Sequence, residues 1–173
     1  MSEGLLALNI PDQDAANVEL AVFDFDGVFT DNTVYVSKDG DHEHIKCYRG
    51  DGLGLKRLRS TGVKTYVLST EVSPVVGIRC KKMGVEYQQG LEDKAKTLKE
   101  LASMLGVSLE VTLYVGNDIN DSSCLEIVGI PVVVADASEE VRTIAKYQTQ
   151  KKGGLGAVRE VCDWIVQCKE NDK

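Results

Sequence analysis

Two aspartates with the potential for chemistry, Asp24 and Asp26, follow directly after an apolar run at residues 20–23. A core strand has no packing reason to end in two carboxylates, and their burial is costly unless they share a cation or a proton. Open α/β sheets bind ligands outside the carboxyl ends of their strands. The spacing of the two aspartates, followed at once by Gly27, therefore predicts that this pair of carboxylates has a functional role.

Polar residues of complementary type follow the later apolar runs. Ser69 ends the second run, where a hydroxyl can hydrogen-bond a ligand oxygen. Lys94 opens a helical pattern, and a cation near a helix N-terminus suits a phosphate. Asp118 and Asp121 form a second acidic cluster at the end of the third run. Each feature alone is common, but at successive strand ends they indicate one site.

The hydrophobic pattern indicates the scaffold that brings these side chains together. Short apolar runs rich in β-branched or aromatic residues are typical of strands buried on both faces of a parallel sheet. They lie at residues 20–23, 65–68, 111–115 and 131–134. Helical periodicity lies between and after them, at residues 54–60, 75–83, 94–105, 138–146 and 156–168. This alternation predicts an α/β fold with a Rossmann-like doubly wound parallel sheet.

The segment after the first predicted strand breaks the alternation. Two β-rich runs, at residues 33–36 and 44–48, flank Asp39-Gly40, which is a strong signal of a hairpin turn. We therefore expect a β-hairpin insertion at about residues 32–48. The insertion is too small to be a cap domain, and no linker or repeat interrupts the chain. Residues 1–173 are thus predicted to form a single domain without a cap.

Composition limits the classes of function. The 173 residues are 43% hydrophobic and 27% charged, with a net charge of −7, which is typical of a globular domain and not of a disordered chain. No apolar run is long enough to span a bilayer, and the N-terminus lacks the pattern of a signal peptide. The acidity argues against nucleic acid as a partner. We expect no membrane partner and a cytoplasmic location.

Cysteine and histidine usage gives little sign of a metal or disulfide framework. The five cysteines are widely spaced and include no C-x-x-C pair, which fits free thiols in a reducing compartment. The two histidines, His42 and His44, share one face of the predicted hairpin strand. They fit either a metal pair or a face that is solvated or packed against another subunit.

The polar motifs resemble the four signature motifs of the haloacid dehalogenase superfamily of phosphotransferases. The motifs are Asp24-Phe25-Asp26, Ser69, Lys94 and residues 116–121. Residues 26–31, the hairpin, and residues 51–54 and 153–160 look like one branch, the small tetrameric phosphatases of 3-deoxy-2-keto sugar acid phosphates. That branch includes phosphatases of the octulosonate 8-phosphate and of nine-carbon sialate-type 9-phosphates. A related domain is fused behind CMP-sialate synthetase in some proteins.

The resemblance implies a mechanism through an aspartyl-phosphate. Asp24 is the expected nucleophile, and Asp26 is the expected general acid and then general base. The expected ligands of a Mg²⁺ ion are the Asp24 carboxylate, the Asp26 backbone carbonyl and Asp118.

The remaining motif residues are expected to bind phosphate or to support the metal. Ser69 and Lys94 are expected to hold the phosphoryl oxygens. Asp121 is expected to orient metal-bound water, and Asn117 stands where an aspartate is frequent in the family and belongs to the same outer shell.

Departures from the octulosonate pattern bear on the substrate. Those enzymes usually follow the strand-end hydroxyl with Gly-Arg, whereas here Thr70 and Glu71 follow Ser69. A glutamate at this position, with Lys82 eleven residues later, resembles the nine-carbon branch and favours a KDN or N-acylneuraminate 9-phosphate. Lys82 is either a partner of Glu71 beside the substrate or, like Lys81, a solvated helix residue. Arg79 is a candidate for the sugar carboxylate, because a guanidinium binds carboxylates with two hydrogen bonds.

Two alternatives to a nine-carbon phosphatase stay open. One is an octulosonate 8-phosphate phosphatase, and the other is a non-catalytic tetramerisation domain of a CMP-sialate synthetase. The resemblance also implies a homotetramer, in which a neighbouring subunit completes each active site.

Overall fold

The computed structural model describes residues 5–8 and 12–171 and shows a parallel sheet between helices. The nine strands are β1 (Leu6–Ala7), β2 (Leu20–Phe23), β3 (Thr30–Val36), β4 (Glu43–Cys47), β5 (Lys64–Leu68), β6 (Glu86–Gln88), β7 (Thr112–Gly116), β8 (Ile130–Val133) and β9 (Tyr147–Gln148). The seven α-helices are α1 (Gln13–Asn17), α2 (Gly50–Arg59), α3 (Val75–Met83), α4 (Lys94–Leu105), α5 (Ser122–Leu125), α6 (Glu139–Arg142) and α7 (Ala157–Asn171).

Seven strands form one all-parallel sheet in the order β1-β9-β8-β7-β2-β5-β6. β2, β7 and β8 are buried along their whole length, as their continuous apolar sequences predict. The chain runs outward from β2 through β5 to β6 and then returns to β7 on the other side of β2. The point at which the strand order reverses therefore lies between β2 and β7, where α/β sheets bind ligands. The predicted doubly wound fold is confirmed.

The predicted hairpin is also confirmed. β3 and β4 form a separate antiparallel pair, with Val34 opposite Ile45, and the pairing is irregular between Thr30 and Val34. Its turn contains Gly40, whose φ of +77° is a conformation that glycine adopts without strain. The first strand begins at Thr30, two residues before the predicted insertion, so the hairpin emerges directly from the loop after β2.

The four long helices lie where the sequence predicts them, with shifts at some ends, whereas α1 and α5 were not predicted. α7 runs to Asn171, three residues past the predicted end at residue 168. α3 and α4 match their predicted ranges, and each ends at a glycine with positive φ, Gly84 or Gly106. α2 begins at Gly50, four residues before the predicted start, and α6 spans only four residues of the predicted 138–146. Its apolar residues after Arg142 instead lead into the short strand β9.

α2 and α7 pack together on one face of the sheet, and a buried carboxylate joins them. Asp51, in the first turn of α2, is fully buried and accepts a hydrogen bond from the backbone N–H of Arg159 at 3.1 Å. Its second carboxylate oxygen has no hydrogen-bond partner among the described residues. Burial raises the pKa of Asp51 to about 7.

All five cysteines are free, as their spacing predicts. Within residues 5–8 and 12–171, no helix is both long and apolar enough to cross a membrane. The same part of the chain contains no cluster of three or more His, Cys, Asp or Glu side chains placed to hold a metal. His42 and His44 are exposed on β4 and its approach, which fits a face that is solvated or packed against another subunit.

Candidate active site

The site lies at the carboxyl edge of β2 and β7. Phe23 pairs with Val115 in register, so Asp24 and Asp26 after β2 face the loop that follows β7. The backbone N–H of Asp24 continues the ladder by donating to the carbonyl of Val115 at 2.9 Å. The two acidic motifs, more than 90 residues apart in sequence, thus meet at one sheet edge.

Gly27 allows the loop after β2 to pass close to the loop after β7. Its φ is +78°, and a Cβ atom at this position would collide with the side chain of Asn117. The backbone N–H of Gly27 donates to the Thr30 hydroxyl at 2.9 Å, which closes the turn into the hairpin. Only glycine satisfies both the backbone conformation and the close approach.

Lys94 is buried behind Asp24 and pairs with two carboxylates. Its Nζ lies 3.1 Å from Asp24 Oδ1 and 2.5 Å from Asp121 Oδ1. Asp93 accepts a hydrogen bond from the backbone N–H of Lys96 and so caps the helix that begins at Lys94. A buried charge is tolerated only when it is paired, and here one cation stands against two anions.

Burial, together with this excess of negative charge, shifts the pKa values of the site. Burial, and then the charge of Asp121, raises the pKa of Asp24 to about 7, although Lys94 opposes the change. Burial also raises the pKa of Asp26, and the nearby charge of Glu71 adds to the effect. Burial alone would lower the pKa of Lys94, but Asp24 and Asp121 more than offset it and raise the value. Additional positive charge would therefore stabilise the ionised carboxylates.

Asp121 links the lysine to the loop after β7. Its Oδ1 accepts from Lys94 and from the hydroxyl of Tyr114 at 2.7 Å. Its Oδ2 accepts from the backbone N–H groups of Asn117 at 2.8 Å and Asp118 at 3.3 Å. The residue therefore fixes both a cation and a backbone turn. The sequence alone does not identify Tyr114, because it looks like an ordinary apolar residue of a buried strand.

The oxygen atoms around Asp24 fit a hard divalent cation. With its amide nitrogen turned toward them, Asn117 donates to Asp24 Oδ2 at 3.2 Å and to the backbone carbonyl of Asp26 at 2.8 Å. One small positive group can therefore contact both oxygens at once. Asp24, Asp26 and Asp118 line the same cleft of about 300 Å³. Two carboxylates and a carbonyl match the donors that Mg²⁺ prefers, which explains why no cluster of three acidic side chains is needed.

Ser69 and Thr70, which follow β5, have different surroundings: Ser69 is buried in the loop, and Thr70 lines the cleft. Ser69 is buried, and its hydroxyl oxygen accepts from the backbone N–H of Glu71 at 3.0 Å. Thr70, which the sequence analysis did not assign to phosphate, lines the cleft beside Asp24 and Asp118. The role of Ser69 in binding phosphate stays a prediction.

Glu71 lies beside Asp26, whereas Arg79 and Lys82 lie in another groove. Glu71 and Asp26 line a second cleft of about 320 Å³, and a Glu71 carboxylate oxygen accepts from the backbone N–H groups of Val72 and Ser73. Arg79 and Lys82 line an open groove of about 710 Å³ between α2 and α3. No ion pair joins Glu71 to Lys82 among the residues that the structure covers.

The glycine-rich segment before α7 packs against the loop after β2. The backbone N–H of Gly154 donates to the carbonyl of Val28 at 3.1 Å, and that of Gly153 donates to Asp136 at 3.0 Å. A Cβ atom at Gly153 would collide with the carbonyl oxygen of Gly27. The segment supports the loop after β2 through its backbone, and its neighbours Lys151 and Lys152 are exposed.

Comparison with known proteins agrees with the family resemblance of the sequence motifs. The family of haloacid dehalogenase-like hydrolases matches residues 84–161. The chain is 33% identical to the 3-deoxy-D-manno-octulosonate 8-phosphate phosphatase of Escherichia coli (strain K12) over 154 residues, which cover 88% of this chain and 81% of that protein.

Solved structures agree with the sequence relationship. The phosphatase of the same description from Moraxella catarrhalis, solved with a magnesium ion, a phosphate ion and KDO, has a TM-score of 0.86 and 33% identity. The alignment covers 92% of this chain and 91% of that one. The cobalt-bound deoxy-D-mannose-octulosonate 8-phosphate phosphatase from Haemophilus influenzae has a TM-score of 0.85 and 30% identity, with coverage of 91% and 92%. This chain therefore belongs to the haloacid dehalogenase-like hydrolases and is a phosphatase of their octulosonate 8-phosphate phosphatase-like branch.

Proposed function

We propose that the protein is a Mg²⁺-dependent phosphatase of a 2-keto-3-deoxy sugar acid phosphate, with a nine-carbon 9-phosphate as the preferred substrate. The observation that carries the proposal is the convergence of Asp24, Asp26 and Asp118 on one cleft, with Lys94 paired to Asp24 behind it. The relatives named for octulosonate 8-phosphate support the class of substrate.

The residues suit a two-step transfer. Asp24 attacks phosphorus while the bond to the sugar oxygen breaks, and Asp26 donates its proton to that leaving oxygen. The raised pKa of Asp26 supports this role, since a general acid must hold its proton before the reaction. Asp26 then accepts a proton from the water that attacks the aspartyl-phosphate, and inorganic phosphate is released.

Lys94 and the cleft supply charge complementarity. Lys94 is the candidate to neutralise charge that spreads over the phosphoryl oxygens, because its Nζ lies beside Asp24, and Ser69 and Thr70 are candidates for hydrogen bonds to those oxygens. A Mg²⁺ ion held by Asp24, the Asp26 carbonyl and Asp118 would reduce the repulsion between a carboxylate nucleophile and a phosphate dianion. Asn117 and Asp121 hold these ligands in place through the hydrogen bonds described above.

Glu71 supports the nine-carbon preference, because it places an acceptor beside Asp26 where octulosonate phosphatases usually carry an arginine. The names of the relatives favour the other candidate, an octulosonate 8-phosphate phosphatase. A phosphate-release panel distinguishes the two, with KDN 9-phosphate, N-acetylneuraminate 9-phosphate and octulosonate 8-phosphate tested with and without Mg²⁺. Equal or faster turnover of the eight-carbon substrate would overturn the nine-carbon preference.

An Asp24→Asn variant tests the nucleophile. We expect turnover to fall below detection while the thermal unfolding transition stays, because the amide keeps the shape of the carboxylate and cannot form the acyl phosphate. Substantial remaining activity would contradict the assignment. A wild-type protein inactive on every substrate would instead favour the non-catalytic tetramerisation domain.

The hairpin supports a homotetramer in which a neighbour completes the active site. Val34, Tyr35 and Val36 are each more than half exposed on it, although they are apolar or aromatic. Val34 and Val36 share one face of β3, and exposed apolar side chains on one strand face fit an interface with another subunit. Arg79 and Lys82 are candidates to reach the sugar carboxylate in a site formed between subunits. The proposal that the chain is a single capless domain fits this need for a neighbour.

Light scattering after gel filtration tests the assembly. Val34→Lys is expected to convert the tetramer to smaller species and to reduce turnover. Met104→Lys is the matched control, because Met104 is equally apolar and 72% exposed but lies on α4. A wild-type monomer, or a Val34→Lys tetramer, would contradict the proposal.

A further inference from the structure

Asn32 stands out in the loop between the catalytic aspartates and the hairpin. Its φ is +58°, and among the described residues no other non-glycine residue has a positive φ. The left-handed conformation is unfavourable for most side chains, although asparagine tolerates it better than most. The pairing of β3 with β4 is irregular between Thr30 and Val34, with Asn32 in the middle. Irregularities of this kind redirect side chains and are frequent next to active sites.

Hydrogen bonds of the backbone and of neighbouring side chains fix this conformation, and none of them uses the side-chain amide of Asn32. The Thr30 hydroxyl accepts from the backbone N–H of Asn32 at 3.3 Å, and Asp31 accepts from both the backbone and the hydroxyl of Thr33. The Asn32 side chain is exposed and makes no hydrogen bond to another residue in the described part of the chain. Its amide is therefore available to a ligand.

Asn32 also occupies the junction of two clefts. It lines the cleft of about 300 Å³ that contains Asp24 and Asp118, and it lines the cleft of about 320 Å³ that contains Glu71. Asp26 lines both. If Asp24 receives the phosphoryl group and Asp26 protonates the leaving oxygen, the leaving group extends from Asp26 into the second cleft. Asn32 then lies next to the carbon chain that carries the ester.

We propose that Asn32 is a specificity-determining residue whose amide binds the hydroxyl groups of the leaving group nearest the phosphate ester. An amide both donates and accepts hydrogen bonds, which suits the neighbouring hydroxyls of a sugar chain. The inference rests on the proposed function, because it takes its direction from the roles of Asp24 and Asp26. The inference adds to the proposed function a side chain that distinguishes leaving groups with hydroxyls near the ester from leaving groups without them.

The test compares kcat/KM for KDN 9-phosphate and octulosonate 8-phosphate with kcat/KM for p-nitrophenyl phosphate, whose leaving group has no neighbouring hydroxyls. Asn32→Gly keeps the backbone conformation and removes the amide. We expect it to lower kcat/KM for the better sugar substrate about tenfold, as expected for the loss of a hydrogen bond to substrate. The value for p-nitrophenyl phosphate should stay within about twofold, and the variant should unfold at the same or a higher temperature.

Two further variants isolate the amide. Asn32→Asp keeps the size and the tolerance of positive φ but can only accept while ionised, so we expect a loss on the sugar substrates at least as large. Met104→Lys, an exposed change on α4 outside both clefts, is the control, and it should keep the wild-type ratio between the two kinds of substrate.

The outcomes separate this inference from the proposed function. An unchanged ratio in Asn32→Gly, or an equal loss on both kinds of substrate, would overturn the role of Asn32. If the wild type hydrolyses neither sugar acid phosphate, the proposed function fails. The ratio is then measured with sn-glycerol 3-phosphate against p-nitrophenyl phosphate, and the same criterion decides the role of Asn32.

Discussion

Replacing Asp51 with asparagine tests whether a buried carboxyl between α2 and α7 holds its proton near neutral pH. Asp51 is fully buried, accepts one hydrogen bond, and has an unpaired second oxygen. Burial raises its pKa from 3.8 to about 7. Asp51→Asn keeps an oxygen for the backbone N–H of Arg159 and removes the titration.

The expected size follows from linkage. Below about pH 4 the carboxyl is protonated in both the folded and the unfolded chain, so it contributes no pH dependence. Between about pH 4 and 7 the unfolded chain releases its proton first, so the free energy of unfolding falls as pH rises. Each unit of pKa difference corresponds to about 1.4 kcal/mol, so the loss between pH 4.5 and 8 is about 3 kcal/mol.

Urea unfolding at these two pH values measures the difference. Trp164 is the single tryptophan and packs against Tyr147 with ring centroids 5.0 Å apart, so its fluorescence reports the unfolding of α7. The pH dependence of the wild type should exceed that of Asp51→Asn by about 3 kcal/mol. Glu100→Gln, on the exposed side of α4, controls for the change in net charge. Both comparisons use one protein concentration, because assembly also affects stability.

Parallel pH dependences of the wild type and Asp51→Asn would refute the reasoning. They would mean that the Asp51 carboxyl is ionised in the folded protein throughout this range. In that case Arg79, Lys151 and Arg159, whose charges oppose the effect of burial, would control its titration.

Two further changes test the contacts around the site. Tyr114→Phe removes the hydroxyl that donates to Asp121, and we expect a loss of about 1 kcal/mol in stability together with a higher KM, measured by urea unfolding and by phosphate release. An unchanged KM would show that Lys94 is positioned without it. Gly153→Ala places a methyl group against the Gly27 carbonyl and should destabilise the fold by about 1–3 kcal/mol in thermal unfolding. Gly52→Ala is its control, because the added atom would have ordinary contacts with Met83, and a transition unchanged in both variants would contradict the packing argument.

The sequence was sufficient to predict the elements that carry strong periodic patterns. β2, β5, β7 and β8 lie within one residue of the predicted apolar runs at every end, because buried parallel strands leave a continuous apolar signal. The short strands β1, β6 and β9 were missed, since two or three residues at or near a sheet edge carry no period.

Residues whose importance depends on distant contacts could not be predicted in this way. Asp51 reads as an ordinary acidic residue in a first helical turn, and its burial comes from α7, more than 100 residues later. Tyr114 looks like an apolar strand residue in the sequence, and only the structure shows its hydrogen bond to Asp121. Asn32 offered a weak local signal, because asparagine is one of the few side chains that tolerate positive φ.

The two oxygens of the Asp121 carboxylate hold different parts of the site, which has a consequence for ligand affinity. One accepts from Lys94, the proposed phosphate-binding residue, and the other accepts from the backbone N–H groups of Asn117 and of Asp118, the proposed cation ligand. A ligand that moves either partner must act on the same rigid group, so the affinities for phosphate and for the cation are expected to depend on each other. Such coupling is reciprocal: the factor by which phosphate changes cation affinity equals the factor by which the cation changes phosphate affinity.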